Sequence, residues 1–190
     1  MKNLLKEKIR RGENCVGTFV ELGHPDVTEI LSRQGFDWLL IDGEHSPMGL
    51  ETMERMIQSM GGSDCTPMVR PQWNDLVVIK RVLDLGAHGI LVPWVNTREE
   101  AEAAVSACMY PPKGVRGWGP RTAARWDPDY RETANDEIIV TVQVETQKSL
   151  DNLDEIMGVE KVEACYVGPW DLSNNLGLSV PPDYGNPKFM

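Results

Sequence analysis

The stretch that decides the fold is Val140–Glu145, with the sequence VTVQVE, and a related stretch, CYVGPWD, follows at Cys165–Asp171. Each begins as a short apolar run and ends on a carboxylate, which is typical of a buried parallel strand that carries an acid at its carboxyl end. In a barrel of alternating strands and helices, catalytic groups lie at that end. Glu145 and Asp171 would repel each other on neighbouring strands, and a divalent cation with oxygen ligands would relieve that repulsion. The sequence therefore predicts a metal site first.

The composition is that of one acidic globular domain. The chain has 190 residues, of which 41% are hydrophobic, and it contains no linker-like or low-complexity tract, so we expect a single domain over residues 1–190. Its formal net charge of -10 disfavours nucleic acid or an anionic membrane surface as a partner. A locally positive pocket for a small anion is still compatible with that charge.

The location and redox state follow from what the sequence lacks. No run approaches the length of a membrane span, and Met1–Lys8 has no apolar signal core, so a cytoplasmic protein is expected. The cysteines Cys15, Cys65, Cys108 and Cys165 are far apart and match no zinc spacing. We expect them to be reduced and structural, and we assign them no role.

One strand–helix unit recurs along the chain and predicts a parallel α/β sheet. The carboxyl ends of the predicted strands follow one another at about 21 to 28 residues, the length of a strand, a helix and two short loops. Ser46-Pro47, Thr97 and Thr146 are the predicted starts of three intervening helices. The seven predicted strands are Cys15–Leu22, Phe36–Asp42, Pro67–Pro71, Gly89–Trp94, a weak one near Gly114–Gly117, Ile138–Glu145 and Val162–Gly168.

The fold prediction is a TIM (β/α)8-type barrel that is incomplete at its carboxyl end. A closed barrel of this kind needs eight strands, and only seven are visible. Asn186-Pro187 is a helix-opening signal with three residues after it. We therefore expect a barrel truncated after strand 7.

The segment DGEHSP, residues 42–47, follows the second predicted strand and brings polar groups to the same edge. His45 lies among carboxylates that would raise its basicity, and histidine suits proton transfer near neutral pH. The other interpretation is a histidine at a helix start that only hydrogen-bonds the loop. His24 and His88 are interpreted as structural or surface residues, because His24 lies in a loop before a helix and His88 precedes the fourth predicted strand, on the side of the barrel away from catalysis.

Three further features stand apart from the apolar pattern. Arg70 ends the third predicted strand, and its planar fork suits either an anionic ligand or a structural ion pair. The carboxylates that could form that ion pair are Asp42, Glu44 and Glu145. Asp84 lies at the end of a helix, where the helix dipole disfavours a negative charge, which indicates either a specific partner or simple exposure. The aromatic and basic loop Gly117–Arg121 is interpreted as a cover for a site or a subunit contact.

The motifs, taken together and in order, resemble those of the HpcH/HpaI aldolase family over essentially the whole chain. That resemblance implies a TIM barrel and a metal-dependent cleavage of 4-hydroxy-2-oxo acids into pyruvate and an aldehyde. It also implies a homo-oligomer, a hexamer in which the last helix is exchanged between subunits. The motifs are Gly17–Phe19, Asp42–His45, Val69–Pro71, Leu83–Ala87, Gly89–Pro93, Gly114–Gly117, Gln143–Thr146 and Gly168–Ser173.

The resemblance also implies a role for each matching residue. Glu145 and Asp171 would bind magnesium, manganese or cobalt, and Arg70 would contact the oxygens of pyruvate. His45 would assist proton transfer, with Asp84 orienting it.

Two more positions belong to the implied pocket. Gln143 would line it, and Trp170 occupies a place that varies in the family, where a tryptophan would narrow the space for substrate. The second substrate is therefore the least determined part of the implied reaction.

Two alternative functions and one alternative mechanism can be compared with the sequence. The first function is a CoA-thioester lyase of the citrate-lyase β-subunit or malyl-CoA lyase type, although no basic run for nucleotide phosphates is visible. The second is an inactive module that binds small anions or oligomerises. Schiff-base catalysis is disfavoured, because no lysine ends a strand: Lys80, Lys113, Lys148 and Lys161 fall on helices or before strands, and Lys6 is near the terminus.

Overall fold

The chain folds into one parallel sheet covered by helices. The computed structural model describes residues 2–125 and 127–190. In these residues the sheet has six parallel strands in sequence order: β1 Gly17–Val20, β2 Trp38–Asp42, β3 Thr66–Arg70, β4 Gly89–Val92, β5 Ile139–Val144 and β6 Val162–Val167. The helices are α1 Leu4–Arg10, α2 Pro25–Leu31, α3 Leu50–Ser59, α4 Leu76–Asp84, α5 Arg98–Cys108, α6 Tyr130–Glu137, α7 Gln147–Asp151, α8 Leu153–Met157 and α9 Pro169–Asn175.

The sheet curls into a half-barrel. The ring centroids of Phe19 on β1 and Tyr166 on β6 are 5.3 Å apart. In a flat sheet the first and sixth strands would be separated by about 24 Å, since neighbouring strands lie roughly 4.8 Å apart. Contact between the outermost strands therefore requires that the sheet bend back on itself, as in an incomplete barrel.

Side chains alternate between the two faces of the curled sheet. The inner cluster is small and includes Leu40, Met68, Leu91 and Ile139 from four successive strands. The larger cluster lies between the outer face and the surrounding helices. Because side chains alternate along a strand, the residues two positions beyond an inner apolar residue also face the interior of the curl. This places polar side chains at the carboxyl ends of the strands inside the half-barrel.

Helix α1 closes the amino-terminal end of the half-barrel. The side-chain amide of Asn3 donates to the carbonyls of His88 and Glu137, both of which precede strands. Lys6 is 2% exposed, donates to the carbonyl of Ile138 at 3.0 Å and forms an ion pair with Glu163 on β6. Burial lowers the pKa of Lys6 and raises that of Glu163. The interior is thus sealed opposite the edge where the strands end.

The predicted parallel α/β architecture is confirmed, but the predicted strand at Gly114–Gly117 is wrong. The Val115 and Arg116 N–H groups donate to the carbonyls of Ser106 and Met109 at the end of α5, both at 2.9 Å. A strand at this place would need those donors for the sheet, and β4 pairs directly with β5. The described sheet therefore ends at a sixth strand, not at the seventh that the sequence predicts.

Two of the three predicted helix starts are confirmed. Thr97 and Thr146 cap α5 and α7 through their side chains. The prediction at Ser46-Pro47 is wrong, because the Ser46 hydroxyl donates instead to the carbonyl of Asp42 and α3 begins at Leu50. Within the described residues, no helix is long and apolar enough to cross a membrane.

Candidate active site

Four buried polar side chains meet inside the half-barrel at the carboxyl ends of its strands. Asp42 and Arg70 end β2 and β3 and are register partners, and Gln143 and Glu145 lie at the end of β5. Each continues the inward-facing alternation of its strand. All four are less than a tenth exposed. A parallel sheet thus collects one cation, one amide and two carboxylates at a single edge.

Arg70 and Asp42 form a bidentate ion pair. Arg70 Nε donates to Asp42 Oδ1 at 2.9 Å, and Nη2 donates to Oδ2 at 2.7 Å. Burial acts to raise the pKa of Asp42, but Arg70 and the N–H groups of Glu44 and His45 hold it below its usual value. The Arg70 guanidinium also lies 5.1 Å from the ring centroid of Phe19. The ion pair with Asp42 and the ring of Phe19 therefore hold the guanidinium in place before any ligand binds.

The third nitrogen of Arg70 is held less tightly. Nη1 donates to Gln143 Oε1 at 3.3 Å and lies 3.2 Å from Glu44 Oε2. The contact with Glu44 lacks hydrogen-bond geometry, and this buried carboxylate oxygen has no hydrogen-bond donor among the described residues. Burial raises the pKa of Glu44. Nη1 and Glu44 Oε2 are therefore the groups with capacity left for a ligand.

His45 lies at the entrance to this cluster. Its side chain is 60% exposed, and its Nε2 lies 3.8 Å from Glu44 Oε2. The backbone N–H of His45 points back to Asp42 Oδ1 at 3.4 Å, so the loop is anchored while the ring remains accessible. The imidazole can therefore reach a bound molecule without leaving its loop.

Glu145 is buried and oriented by two donors. The Trp94 N–H donates to Oε1 at 2.8 Å, and the Gln143 side-chain amide donates to Oε2. Burial raises the pKa of Glu145, and the negative charge of Asp171 raises it further, against the effect of these donors. Asp171 itself is exposed in the first turn of α9. Asp171 therefore acts on Glu145 from the helix that follows β6.

The backbone of Glu145 is tied to the start of α7 and to the β4–α5 loop. Its N–H donates to Ser149 Oγ at 3.2 Å, within a capping box that Ser149 forms with Thr146. The Thr146 hydroxyl donates to Asn96 Oδ1, and Asn152 donates to the Asn96 carbonyl at 2.8 Å. These bonds lock the carboxylate into one position relative to its neighbours.

The donor set fits a hard divalent cation that takes further ligands from substrate and water. Glu145 and Asp171 supply carboxylate oxygens, which such cations prefer. A side chain at Gly168 would place its Cβ 3.2 Å from Glu145 Oε2, so the glycine keeps the space over this carboxylate free. Across the residues that the structure describes, no group of three His, Cys, Asp or Glu side chains is arranged to hold a metal.

Asp84 lies at the opposite edge of the sheet from His45. Helix α4 begins after the carboxyl end of β3 and ends before the amino end of β4, so its last residue is carried back by roughly 13 Å along the helix. There Asp84 Oδ1 accepts from Arg116 Nη2 at 2.8 Å. Burial raises the pKa of Asp84, and Arg116 acts against it. The position of Asp84 at a helix end indicated a specific partner, and that partner is Arg116. Within one chain, Asp84 does not contact His45.

The remaining predicted residues are also placed. Trp170 is 56% exposed beside Asp171 at the start of α9. His24 caps α2, and His88 lies half-buried before β4, so neither joins the site. The Trp118 ring lies against Tyr110, in the segment that follows α5 at the amino-terminal side of the sheet. That loop therefore does not cover this site within one chain.

Sequence reasoning missed two contributors. The Trp94 N–H fixes Glu145, but a backbone donor from a distant loop leaves no signal in residue type. Glu44 was considered only as a partner for Arg70. Its position between Asp42 and His45, at the end of the second strand, is the signal that could have indicated a place in the site.

The chain is similar to known proteins over nearly its whole length. The sequence model of the HpcH/HpaI aldolase/citrate lyase family matches residues 16–186. A curated relative, the 4-hydroxy-2-oxo-heptane-1,7-dioate aldolase of Salmonella dublin, is 41% identical over 188 residues, which cover 97% of this chain and 72% of the relative.

Solved structures show the same architecture. An HpcH/HpaI aldolase/citrate lyase family protein from Burkholderia cenocepacia J2315 matches with a TM-score of 0.91 at 32% identity, covering 99% of this chain and 76% of that one. The citrate synthase SbnG matches with a TM-score of 0.85 at 31% identity, covering 97% of this chain and 72% of that one. The sequence match and the shared architecture show that the chain belongs to the HpcH/HpaI aldolase/citrate lyase family of carbon–carbon lyases.

Proposed function

We propose that this chain is a divalent-metal-dependent aldolase that cleaves a 4-hydroxy-2-oxo acid into pyruvate and an aldehyde, and catalyses the reverse addition. The observation that carries the proposal is the hydrogen-bonded series Asp42–Arg70–Gln143–Glu145 at one edge of the sheet, with Asp171 near enough to raise the pKa of Glu145. This arrangement offers a cation site and a second positive charge to the same small anion. The architecture proposed for the intact enzyme is the TIM-type barrel of which the half-barrel is a part.

Glu145 and Asp171 are the residues that would hold the cation. When bound, a divalent ion supplies a Lewis acid for the carboxylate and keto oxygens of a 2-oxo acid. Arg70 Nη1 is the donor with capacity to spare, so it binds the oxygen on which charge develops. Asp42 keeps the guanidinium aligned while that charge forms.

His45 is proposed to move the proton. In the cleavage direction its imidazole takes the proton of the 4-hydroxyl group, and the C3–C4 bond breaks. The electron pair of that bond passes into the enolate of pyruvate, and the aldehyde leaves. Protonation of the enolate at C3 completes pyruvate. In the addition direction, His45 returns the proton to the aldehyde oxygen.

The buried lysine of this chain does not serve a Schiff-base mechanism. Lys6 has the burial and lowered pKa that such a lysine needs, and the sequence did not reveal that burial. It is bonded to Ile138, whereas Glu145 lies seven residues further along the same segment. At about 3.3 Å per residue in a strand, the two ends are roughly 20 Å apart.

The decisive experiment compares chelation with trapping. We expect EDTA to abolish pyruvate formation from a 4-hydroxy-2-oxo acid, and magnesium, manganese or cobalt to restore it. Borohydride with pyruvate should leave the protein unmodified. Glu145→Gln and Asp171→Asn should each weaken metal binding measured by calorimetry, whereas Glu132→Gln, on exposed α6, should not. EDTA-resistant cleavage together with a trapped pyruvyl adduct would refute the proposal.

A further inference from the structure

Three exposed tryptophans follow strand ends at the edge that carries the candidate site. Trp73 lies in the loop after β3 and is 51% exposed, and Trp94 lies in the loop after β4 and is 40% exposed. Trp170 follows β6 and is 56% exposed. A tryptophan presents a large apolar face, and such faces in water at the mouth of a polar site are typical of ligand contact.

The first two rings form a pair that is fixed to the site. The centroids of Trp73 and Trp94 are 6.5 Å apart, with an angle of 34° between the ring planes. Trp94 has a φ of 60°, in the left-handed region that a bulky residue rarely adopts. The same residue donates its N–H to Glu145 Oε1 at 2.8 Å. The strained backbone therefore couples the position of the aromatic pair to the carboxylate of the site.

Trp170 stands next to the second carboxylate. Pro169 occupies the first turn of α9 and fixes the backbone there, and Trp170 immediately precedes Asp171. The strand between these two aromatic positions is β5, which carries Glu145. The order along the sheet therefore sets the Trp73–Trp94 pair to one side of Glu145 and Trp170 to the other.

The aromatic rim, defined as Trp73, Trp94 and Trp170, is apolar rather than cationic. In the described part of the chain, Arg131 lies over the ring of Trp118 at 5.4 Å, but no arginine or lysine lies over a ring of the rim. An aromatic or bulky apolar group would gain contact area and stacking there.

We propose that the aromatic rim selects the aldehyde, and that the preferred aldehyde has an aromatic or bulky apolar body. This inference rests on the proposed function and deepens it. In the addition reaction, C3 of the pyruvate enolate forms a bond with the aldehyde carbon, and the aldehyde oxygen takes a proton to become the 4-hydroxyl group. The polar cluster binds the pyruvate half, and the rim packs against the body of the aldehyde.

The test measures kcat/KM for the addition of pyruvate to benzaldehyde, acetaldehyde and 4-oxobutanoate with the full chain and magnesium or manganese. We expect benzaldehyde to be preferred over each of the others by at least about tenfold, the size of effect that one good aromatic contact gives. Trp73→Ala and Trp94→Ala should each reduce that preference by roughly tenfold, and Trp94→Phe should restore most of it. Trp118→Ala, equally exposed in a different region, should leave the preference unchanged.

A separate readout distinguishes failure of this inference from failure of the proposed function. Exchange of the C3 protons of pyruvate with deuterated water requires the enolate but no aldehyde. Exchange without a preference for benzaldehyde, or with a preference that Trp73→Ala and Trp94→Ala leave intact, would overturn the aromatic rim and keep the aldolase. Absence of metal-dependent exchange would overturn both. Loss of a defined oligomer in both variants, with the preference kept, would assign the rim to a subunit contact instead.

Discussion

Arg70 illustrates how one side chain can be both structural and chemical. The sequence left two interpretations open, an anion ligand and an ion pair. The structure shows the ion pair with Asp42 through Nε and Nη2, and it leaves Nη1 with weaker contacts. The ion pair therefore does not compete with ligand binding, because it uses a different edge of the guanidinium.

Replacement of Arg70 by lysine tests the directed bonds. We expect Arg70→Lys to lower turnover on the order of 10² to 10³-fold, because an ammonium group cannot hold Asp42 by two bonds and also direct a third to the substrate. Stopped-flow or coupled assays of pyruvate release give the rate, and thermal unfolding checks the fold. Arg81→Lys, on the exposed face of α4, is the control. Near-wild-type turnover of Arg70→Lys would remove Arg70 from the mechanism.

His45 is predicted to transfer protons and not to bind metal. We expect His45→Ala to lower the aldol rate by roughly 10² to 10⁴-fold while metal affinity stays almost intact. The measurements are kcat and a calorimetric titration with manganese. His24→Asn changes another exposed histidine and should alter neither quantity. Loss of metal binding in His45→Ala would instead make the imidazole a ligand.

The position of a site residue could be predicted from sequence where the end of a strand determines it. A carboxylate that ends an inward-facing alternation must reach the edge of the sheet, so Glu145 could be placed from sequence. The Trp94 N–H and the burial of Lys6 could not, because both depend on which distant segments pack together. Lys6 reads as a terminal charged residue until α1 is seen to close the half-barrel.

At the scale of elements, the wrong prediction of a strand at Gly114–Gly117 has a clear cause. The segment has glycines and a branched apolar residue, as a short strand does, but Gly114 lies where a Cβ would be 2.4 Å from the Ser106 carbonyl oxygen. That close approach lets the chain turn back on α5. The local sequence pattern cannot reveal that the N–H groups of this segment donate to carbonyls at the end of a helix and not to a neighbouring strand.

Helix α1 and strand β6 are joined by the buried Lys6–Glu163 pair, and a double-mutant cycle measures it. Lys6→Met should destabilise the protein by about 1 to 3 kcal/mol, because the partly buried Glu163 carboxylate loses its partner. Adding Glu163→Leu should recover part of the loss. Urea unfolding gives both values. Lys2→Met, whose ion pair is exposed, is the control. Additive losses in the double variant would show that the pair is not coupled.

The junction between α4 and β4 is predicted to be sensitive to acid through His88. Burial lowers the pKa of His88 to about 4, and the charge of Asp127 acts in the opposite direction. Unfolded histidine has a pKa of about 6.5, so between these values the unfolded chain binds the extra proton. Stability from neutral His88 is therefore full above about pH 6.5 and is lost as the pH falls towards 4.

The expected effect is a slope of at most about 1.4 kcal/mol per pH unit from this one group. Denaturant unfolding between pH 4.5 and 7 should show a shallower slope for His88→Gln than for the wild type. His24→Asn, which changes an exposed helix cap, should keep the wild-type slope. An unchanged slope in His88→Gln would assign the acid sensitivity to the carboxylates.

At the scale of the whole molecule, the position of Asp84 bears on assembly. The family resemblance gives Asp84 the task of orienting His45, and the structure puts these residues at opposite edges of one sheet. A helix cannot bring its last residue to the edge from which it started. If the task is correct, Asp84 acts on the His45 of a second copy of the chain, and we propose that the active site forms between subunits of a homo-oligomer.

Complementation between two inactive variants tests that proposal. His45→Ala and Asp84→Asn should each be nearly inactive alone, and asparagine keeps an acceptor for Arg116, which protects the fold. Co-expression with two different tags yields mixed oligomers. In them about a quarter of the sites combine an intact His45 from one copy with an intact Asp84 from another, if copies assemble at random.

Recovered activity near that fraction, in material purified through both tags, would place Asp84 across a subunit boundary. Mixed oligomers that stay inactive would contradict the proposal that Asp84 acts on the His45 of a second copy. Full activity of Asp84→Asn alone would show that Asp84 has no role in catalysis. Its contact with Arg116 would then be purely structural. The experiment therefore decides whether Asp84 contributes to the active site of a second copy of the chain.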